Sequence, residues 1–175
     1  MRKRTQKTLL TLLAAATLVG GTAFAKSGLM ADEQKFLNDA AQGGMAEVAL
    51  GHLAVEKASD AEVKAFGQQM IDDHGKANEK LKALAASKSF SPPADVNAEQ
   101  KKTHDELAGM SGAAFDREFM KVMVADHKKV AAAFETESVD AKDADVKNFA
   151  SSTLPTIKEH LKMAKGLAAK TGAGK

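Results

Sequence analysis

Four long stretches of this chain place small and apolar residues at alternating spacings of four and three residues. That spacing marks one face of an α-helix, and each stretch is long enough for roughly seven helical turns. No stretch shows the two-residue alternation that a half-buried strand would have. Helices with one apolar face must bury that face against one another. The pattern therefore predicts an all-α fold in which four helices surround a common core.

The predicted long helices cover residues 31–57, 59–86, 113–138 and 143–170. Ser59 and Glu62 have the spacing of a capping box that starts the second helix. A short extra helix is predicted at residues 97–107, in the connection between helices two and three. This connection contains Pro92-Pro93, which breaks the helical pattern, and we expect it to cross one end of the bundle. Pro155 removes one backbone donor from the fourth helix, which predicts a kink there.

A repeated motif indicates that the fold arose by duplication of a helical hairpin. Residues 60–66 read Asp-Ala-Glu-Val-Lys-Ala-Phe and open the second helix, whereas residues 143–149 read Asp-Ala-Asp-Val-Lys-Asn-Phe and open the fourth. Aligning the two motifs also matches the first helix with the third. The short loops within each hairpin predict antiparallel neighbours.

Residues 1–25 have the features of a secretory signal peptide. A basic segment and an apolar run precede Ala23-Phe24-Ala25, which fits a cleavage site. The chain therefore divides into a signal peptide, residues 1–25, and one helical domain, residues 26–175. The apolar run is too short to span a bilayer comfortably, and no later segment is continuously apolar. We expect an exported protein with no transmembrane segment after removal of the signal.

The charge and composition of the remaining domain exclude several classes of protein. The chain has 25 basic and 23 acidic residues, and four of the basic ones belong to the signal peptide, so the domain itself is slightly acidic. It has no Trp or Tyr on which bases could stack, and nothing indicates nucleic acid binding. The absence of Cys rules out disulfides, zinc–thiolate sites and thiol nucleophiles.

Each long helix carries one metal-capable side chain on its core-facing side. These residues are Glu47, His74, His127 and His160. A buried imidazole or carboxylate without a partner costs about 1–3 kcal/mol, so each must be hydrogen-bonded, close to water or bound to a metal. Three imidazoles and one carboxylate suit zinc, iron, manganese or copper. The alternative is a buried polar layer whose members bond only to one another.

The depth of each residue along its helix bears on whether the four side chains can meet. Counted from the predicted helix ends, Glu47 and His127 lie level and His74 lies about 5 Å deeper. His160 lies about 10 Å deeper and needs either the kink at Pro155 or a shifted helix boundary to join the others.

The neighbouring residues leave two further points open. Met70 and Met123 lie one helical turn from histidines, which allows a soft copper site, although Met at this spacing usually fills a core. Asp73 and Asp126 directly precede two of the histidines. Because adjacent helix residues diverge by about 100°, we expect each Asp to face a neighbouring helix or water.

The sequence resembles a known bacterial family. The matching elements are Ala41-Gln-Gly-Gly44-Met-Ala-Glu47, Met70-Ile-Asp-Asp-His74, Met123-Val-Ala-Asp-His127 and Leu154-Pro155 followed by His160. They resemble exported ferritin-like four-helix proteins that are catalogued as a domain of unknown function and are often labelled outer membrane proteins. The resemblance implies a ferritin-like up-and-down four-helix bundle in the periplasm or cell envelope of a Gram-negative bacterium. It implies no reaction or substrate.

The chain departs from the ferritin di-iron pattern, which needs Glu-x-x-His on two helices. No helix here has that motif, so a single metal ion is the more consistent hypothesis. The first functional hypothesis is metal binding for sequestration, sensing or stress tolerance. The second is a structural or interaction protein of the envelope that binds no metal. An enzyme is the weakest hypothesis, because the sequence has no nucleophile–base pair, phosphate loop or cofactor motif.

Overall fold

The computed structural model describes residues 28–173, which form five α-helices. They are α1 (Ala31–Lys57), α2 (Ala61–Ser87), α3 (Ala98–Ala108), α4 (Gly112–Asp140) and α5 (Ala144–Thr171). No strand occurs within these residues. The prediction of an all-helical fold with a short extra helix before α4 is confirmed, and the predicted boundaries differ from the observed ones by at most two residues. The predicted signal peptide lies outside the described part of the chain.

The long helices enclose two hydrophobic clusters. Helix α1 packs against α2 and α4, α5 packs against the same two helices, and α3 lies against α1 and α4. The first cluster lies towards the α1–α2 turn and includes Met70, Phe119 and Met123. The second lies towards the α4–α5 turn and includes Phe36 and Phe134. The interior thus has two apolar regions with a layer between them.

The connection between α2 and α4 runs along the length of the helices. At its beginning, Lys88 pairs with Asp143 in the α4–α5 turn (Nζ–Oδ2 2.7 Å). Partway along, the Gln42 side chain of α1 donates a hydrogen bond to the Asp95 carbonyl oxygen (3.2 Å). At its end, Asp116 in α4 contacts the α1–α2 turn. The expectation that this connection crosses one end is therefore wrong, and α2 and α4 run in the same direction.

A buried carboxylate from another helix holds each of the two tight turns. Asp116 of α4 accepts hydrogen bonds from the backbone N–H groups of Ser59 and Asp60 and from the Ser59 hydroxyl. Glu33 of α1 accepts hydrogen bonds from two backbone N–H groups of the α4–α5 turn. The prediction of a Ser59–Glu62 capping box is wrong. The Ser59 hydroxyl donates its hydrogen bond to Asp116 and does not cap α2. Asp60 caps α2 instead by accepting from the Glu62 backbone.

Helices α1 and α2 approach closely where Gly51 faces Gly67. A Cβ atom on Gly51 would lie 2.7 Å from the Gly67 carbonyl oxygen, and a Cβ atom on Gly67 would lie 2.6 Å from the Ala54 Cβ. A carbonyl oxygen and a Cβ atom are both held in place by the helix backbone, so neither can move aside as the end of a flexible side chain can. Small residues therefore set the separation of the two helices.

Replacing Gly67 with alanine is expected to lower the free energy of unfolding by about 1–3 kcal/mol, because the added methyl group overpacks the contact. Gly75, also in α2, is the matched control, since a Cβ atom there would meet nothing within 4 Å. Gly75→Ala should stabilise the protein by up to about 1 kcal/mol through helix propensity. Urea denaturation measures the free energy of unfolding of both variants. If both substitutions stabilised the protein, or both destabilised it, the close contact at Gly67 would not explain the result.

Candidate metal centre

Three histidines from three helices meet in the layer between the hydrophobic clusters. His74 of α2, His127 of α4 and His160 of α5 have ring centroids 5.3 to 5.8 Å apart. One ligand nitrogen from each ring lies within 4.8 Å of the other two. A point equidistant from atoms at that spacing lies about 2.8 Å or less from each, whereas zinc–nitrogen bonds are about 2.0–2.1 Å long. Ring movements of about 1 Å would therefore bring the three nitrogens to one metal ion.

The path of the α2–α4 connection explains why His160 joins this layer. Helix α4 begins, rather than ends, beside the α1–α2 turn, so all depths can be measured from that turn. Glu47 and His160 lie about 15 Å from it. His74 and His127 lie about 20 Å from it. The expectation that His160 lies about 10 Å deeper is wrong, and α5 continues as one helix through Pro155.

Hydrogen bonds occupy one nitrogen in two of the rings and leave the other free. His127 Nδ1 donates to the Met123 carbonyl oxygen (2.9 Å), so its Nε2 carries the lone pair. His160 Nε2 donates to Asp73 Oδ2 (3.1 Å), so its Nδ1 carries the lone pair. Within the described residues, these two free nitrogens and His74 Nε2 are buried without a hydrogen-bond partner. Three unpaired nitrogens in one layer are costly unless a ligand satisfies them.

Glu47 lies beside this cluster. Its side chain is almost completely buried, and its Oε1 lies 3.8 Å from His127 Nδ1. In the part of the chain that the structure describes, its Oε2 has no hydrogen-bond partner. The ligand atoms that lie within 4.8 Å of one another belong to the three histidines. The structure thus brings three of the four predicted ligands together and places the fourth next to them.

Asp73 positions His160, a role that the sequence analysis does not assign. The prediction that Asp73 faces a neighbouring helix is confirmed, since its partner lies on α5. Partial burial raises the pKa of Asp73, but the hydrogen bond and electrostatic attraction of His160, together with those of Gln69 and Lys76, outweigh it and hold the pKa below its ordinary value. The signal in the sequence is the Asp73-His74 pair. The Asp73 carboxylate accepts a hydrogen bond from His160 on another helix and not from the adjacent His74.

Burial keeps His74, His127 and Glu47 uncharged at pH 7. Desolvation, together with the neighbouring His127 and His160, lowers the pKa of His74 from 6.5 to about 3. Desolvation and His160 lower the pKa of His127 from 6.5 to about 4. Desolvation, with nearby Asp126, raises the pKa of Glu47 from 4.5 to about 8. Neutral imidazole is the form that binds metal, and a metal ion would displace the Glu47 proton.

These pKa values predict that the metal-free protein loses stability on both sides of about pH 6.5. The pKa values of His74 and His127 are lower in the folded state, so the contributions of both histidines are present above pH 6.5 and are lost as the pH falls towards 4; together they outweigh the opposite effect of Glu47 in that range. The pKa of Glu47 is higher in the folded state, so its contribution is complete below pH 4.5 and is lost as the pH rises towards 8. Each buried group changes the free energy of unfolding by at most about 1.4 kcal/mol per pH unit within its range.

Urea denaturation of the metal-free protein at several pH values measures both effects. Glu47→Gln cannot ionise, so it should abolish the loss of stability between pH 6.5 and 8. It should also steepen the loss between pH 6.5 and 4.5, because in the wild type the Glu47 contribution grows as the pH falls through that range and offsets part of the histidine effect. If Glu47→Gln still lost stability between pH 6.5 and 8, a group other than Glu47 would be the cause.

The remaining histidines and the buried methionines take no part in the cluster. His52 is exposed, and His104 is partly exposed on α3, where it contacts Asp105 (3.4 Å). Met70 and Met123 are completely buried in the first hydrophobic cluster, as expected of core residues.

A cavity of about 550 Å³ adjoins the histidines. Glu47, His74 and His127 line its inner end, and Glu99 of α3 and Asp126 of α4 also contribute to its walls. A bound metal would therefore have an accessible side.

The structure defines an all-helical protein with a buried three-histidine cluster next to a cavity that reaches the surface. Residues 20–167 match the family described as Domain of unknown function (DUF4142), so the chain belongs to that family. No curated protein sequence matches the chain. Within the described residues, no helix is both long and apolar enough to cross a membrane.

Three solved structures have a similar fold. A DUF305 fragment from Deinococcus radiodurans has a TM-score of 0.71 and 14% identity, covering 81% of this chain and 98% of the fragment. A DUF305 protein from Streptomyces coelicolor, whose description suggests secretion, has a TM-score of 0.68 and 12% identity, covering 81% and 94%. CopM in its Cu(II)-bound form has a TM-score of 0.67 and 17% identity, covering 79% and 96%. At such low identities the likeness concerns the fold alone.

Proposed function

We propose that the protein binds one transition metal ion through His74, His127 and His160, with Glu47 as the fourth ligand. The observation that carries this proposal is the set of buried ring nitrogens without partners in one layer. Each such group costs about 1–3 kcal/mol when unsatisfied, and a single metal ion would satisfy all three. Glu47 would reach the metal by rotating away from the Nδ1 of His127. Its carboxylate would then offset part of the metal charge.

The hydrogen bonds around the cluster support this proposal. Metal-binding histidines usually donate their second ring N–H to a carboxylate or a backbone carbonyl, which fixes the tautomer and the ring orientation. His160 donates in this way to Asp73, and His127 donates to the Met123 carbonyl oxygen. Both arrangements leave the second nitrogen available as a ligand.

Copper(II) and zinc are the metals that we propose first. Imidazole suits both, whereas magnesium and calcium prefer oxygen ligands. Iron and manganese also accept such ligands, but divalent copper binds most tightly in the general order of metal affinities. The fold shared with CopM, which was solved with Cu(II), is consistent with copper.

We further propose that the protein is a ferritin-like four-helix bundle, with one long crossover connection between α2 and α4 in place of the expected up-and-down order. We also propose that it is exported to the periplasm or envelope of a Gram-negative bacterium. The signal features of residues 1–25 support export. The similar fold of a protein whose description suggests secretion is consistent with this setting. A bundle that holds one metal ion in its interior would serve metal sequestration or envelope stress tolerance.

Isothermal titration of the tag-free, metal-stripped protein with Zn²⁺ and Cu²⁺ tests the proposal. We expect saturation at one ion per chain, with release of up to about one proton at neutral pH as Glu47 ionises. Titrations in buffers of different ionisation enthalpy measure that proton. No saturable binding, or equal binding by His160→Ala, would favour a structural protein of the envelope with a buried polar layer.

A further inference from the structure

The cavity connects the histidine cluster with the protein surface. Its inner end is lined by Glu47, His74 and His127, whereas its outer part includes the exposed residues Asp39 and Glu99. Its volume of about 550 Å³ greatly exceeds the roughly 30 Å³ that one water molecule occupies in the liquid. A hydrated ion therefore has room to move along it.

The other sides of the cluster are covered by protein. His160 has no exposed surface, and His127 is 1% exposed. The two hydrophobic clusters lie on either side of the histidine layer. His74 is the partly exposed member of the cluster, and it lines the cavity. The structure thus offers the cavity as the route from solvent to the ring nitrogens.

Acidic side chains outnumber basic ones along this route. The lining contains six carboxyl groups and two lysines. The Lys35–Asp39 pair carries no net charge and Glu47 is uncharged at pH 7, which leaves four carboxyl groups against Lys129. The six carboxyl groups belong to Asp32, Asp39, Glu47, Glu99, Asp126 and Glu137. A cleft lined by one sign of charge concentrates ions of the opposite sign and raises their rate of arrival.

We infer that this cavity is the entry path of the metal, which arrives as a free cation drawn inward by Glu99 and Asp126. The inference rests on the proposed function. Two buried atoms at the inner end point independently to a ligand that arrives here, because Glu47 Oε2 and His127 Nε2 have no hydrogen-bond partner within the described residues. The same charges would repel an anionic metal chelate.

Gly43 provides a way to narrow the path without touching the proposed ligands. It lines the cavity, and a Cβ atom there would meet nothing within 4 Å. Gly43→Leu therefore has space for its side chain inside the cavity and favours the helix. Gly166, on the exposed surface of α5, also has no atom within 4 Å of an added Cβ and lies outside the cavity lining. Gly166→Leu is the matched control.

Stopped-flow absorbance with Cu²⁺ tests the path. Gly43→Leu should slow both loading and release at least about tenfold while Kd changes less than about threefold, because a barrier on the route acts equally in both directions. Glu99→Gln combined with Asp126→Asn should lower the association rate at least about threefold at low salt and weaken its dependence on salt. Asp72→Asn combined with Glu106→Gln, which removes the same charge outside the lining, should load like the wild type.

The results of these experiments distinguish failure of the proposed entry path from failure of the proposed metal site. Wild-type rates in both Gly43→Leu and the Glu99→Gln/Asp126→Asn variant, with normal affinity, would overturn the entry path and leave the metal site intact. Failure of the wild-type protein to bind Cu²⁺ would overturn the proposed function and this inference together. If circular dichroism shows that Gly43→Leu is unfolded, the rate and salt dependence of the charge variant decide the matter.

Discussion

Replacing His127 with alanine is expected to abolish the stabilisation that metal gives to the folded protein. A metal at about 1,000 times its Kd raises the free energy of unfolding by about 4 kcal/mol when the unfolded chain does not bind it. For a domain of this size, that gain corresponds to a rise in Tm of roughly 8–16 °C. His127 supplies one of the three imidazoles, and water from the adjoining cavity would be a weaker ligand in its place. Differential scanning calorimetry with and without Zn²⁺ measures the shift.

The controls for this prediction use the metal-free protein and a surface histidine. His127→Leu has a similar volume and replaces an unpaired buried nitrogen, so it should stabilise the metal-free protein by about 1–3 kcal/mol. His104→Ala alters a histidine outside the cluster and should keep the full metal-induced shift. A shift that persists in His127→Ala would show that the metal binds elsewhere.

Replacing Asp116 with alanine is expected to cause the largest loss of stability, about 3–5 kcal/mol. Asp116 is 3% exposed and accepts three hydrogen bonds from the α1–α2 turn. The substitution leaves the backbone N–H groups of Ser59 and Asp60 without their acceptor, and it removes the tie between this turn and α4. Urea denaturation with an unchanged m-value would report the loss.

Glu118 is the matched control for Asp116. It lies on the same helix, but it is partly exposed and pairs with Lys121 on the surface (3.1 Å). Glu118→Ala should change the free energy of unfolding by less than about 0.5 kcal/mol. If Asp116→Ala cost no more than this control, the carboxylate would not hold the turn.

The duplication seen in the sequence extends to the architecture. When Asp60 is aligned with Asp143, Glu33 corresponds to Asp116. The structure gives these two residues the same task, since each is a buried carboxylate that accepts backbone N–H groups from the turn of the other hairpin. Helical periodicity and the short loops were sufficient to predict the helices and their pairing, because both depend on local spacing.

The candidate site does not follow the duplication. With the hairpins aligned in the same way, the counterparts of His74, His127 and His160 are Ile157, Gly44 and Ala77. A side chain at Gly44 would have to displace the Asn78 amide, because its Cβ would overlap Asn78 Oδ1. The site is therefore specific to individual residues, and comparing the two halves cannot reveal it.

Two features of the site depend on tertiary structure that the spacing does not encode. The depth of His160 depends on the direction of α4. That direction is determined by the path of the α2–α4 connection, which contains Pro92-Pro93. The partner of Asp73 depends on the rotation of α5 relative to α2, and the position of the Glu47 carboxylate depends on its rotamer. The sequence could predict which residues face the core, because that property belongs to each helix alone.

X-ray absorption at the zinc edge, on the protein loaded with one equivalent of Zn²⁺, measures the ligands of the metal. We expect three imidazole nitrogens and one oxygen at about 2.0–2.1 Å from the metal. We also expect that a variant with His74, His127 and His160 all changed to alanine retains no bound zinc. A spectrum dominated by oxygen ligands, or one that the triple variant reproduces, would show that the histidine cluster does not bind the metal.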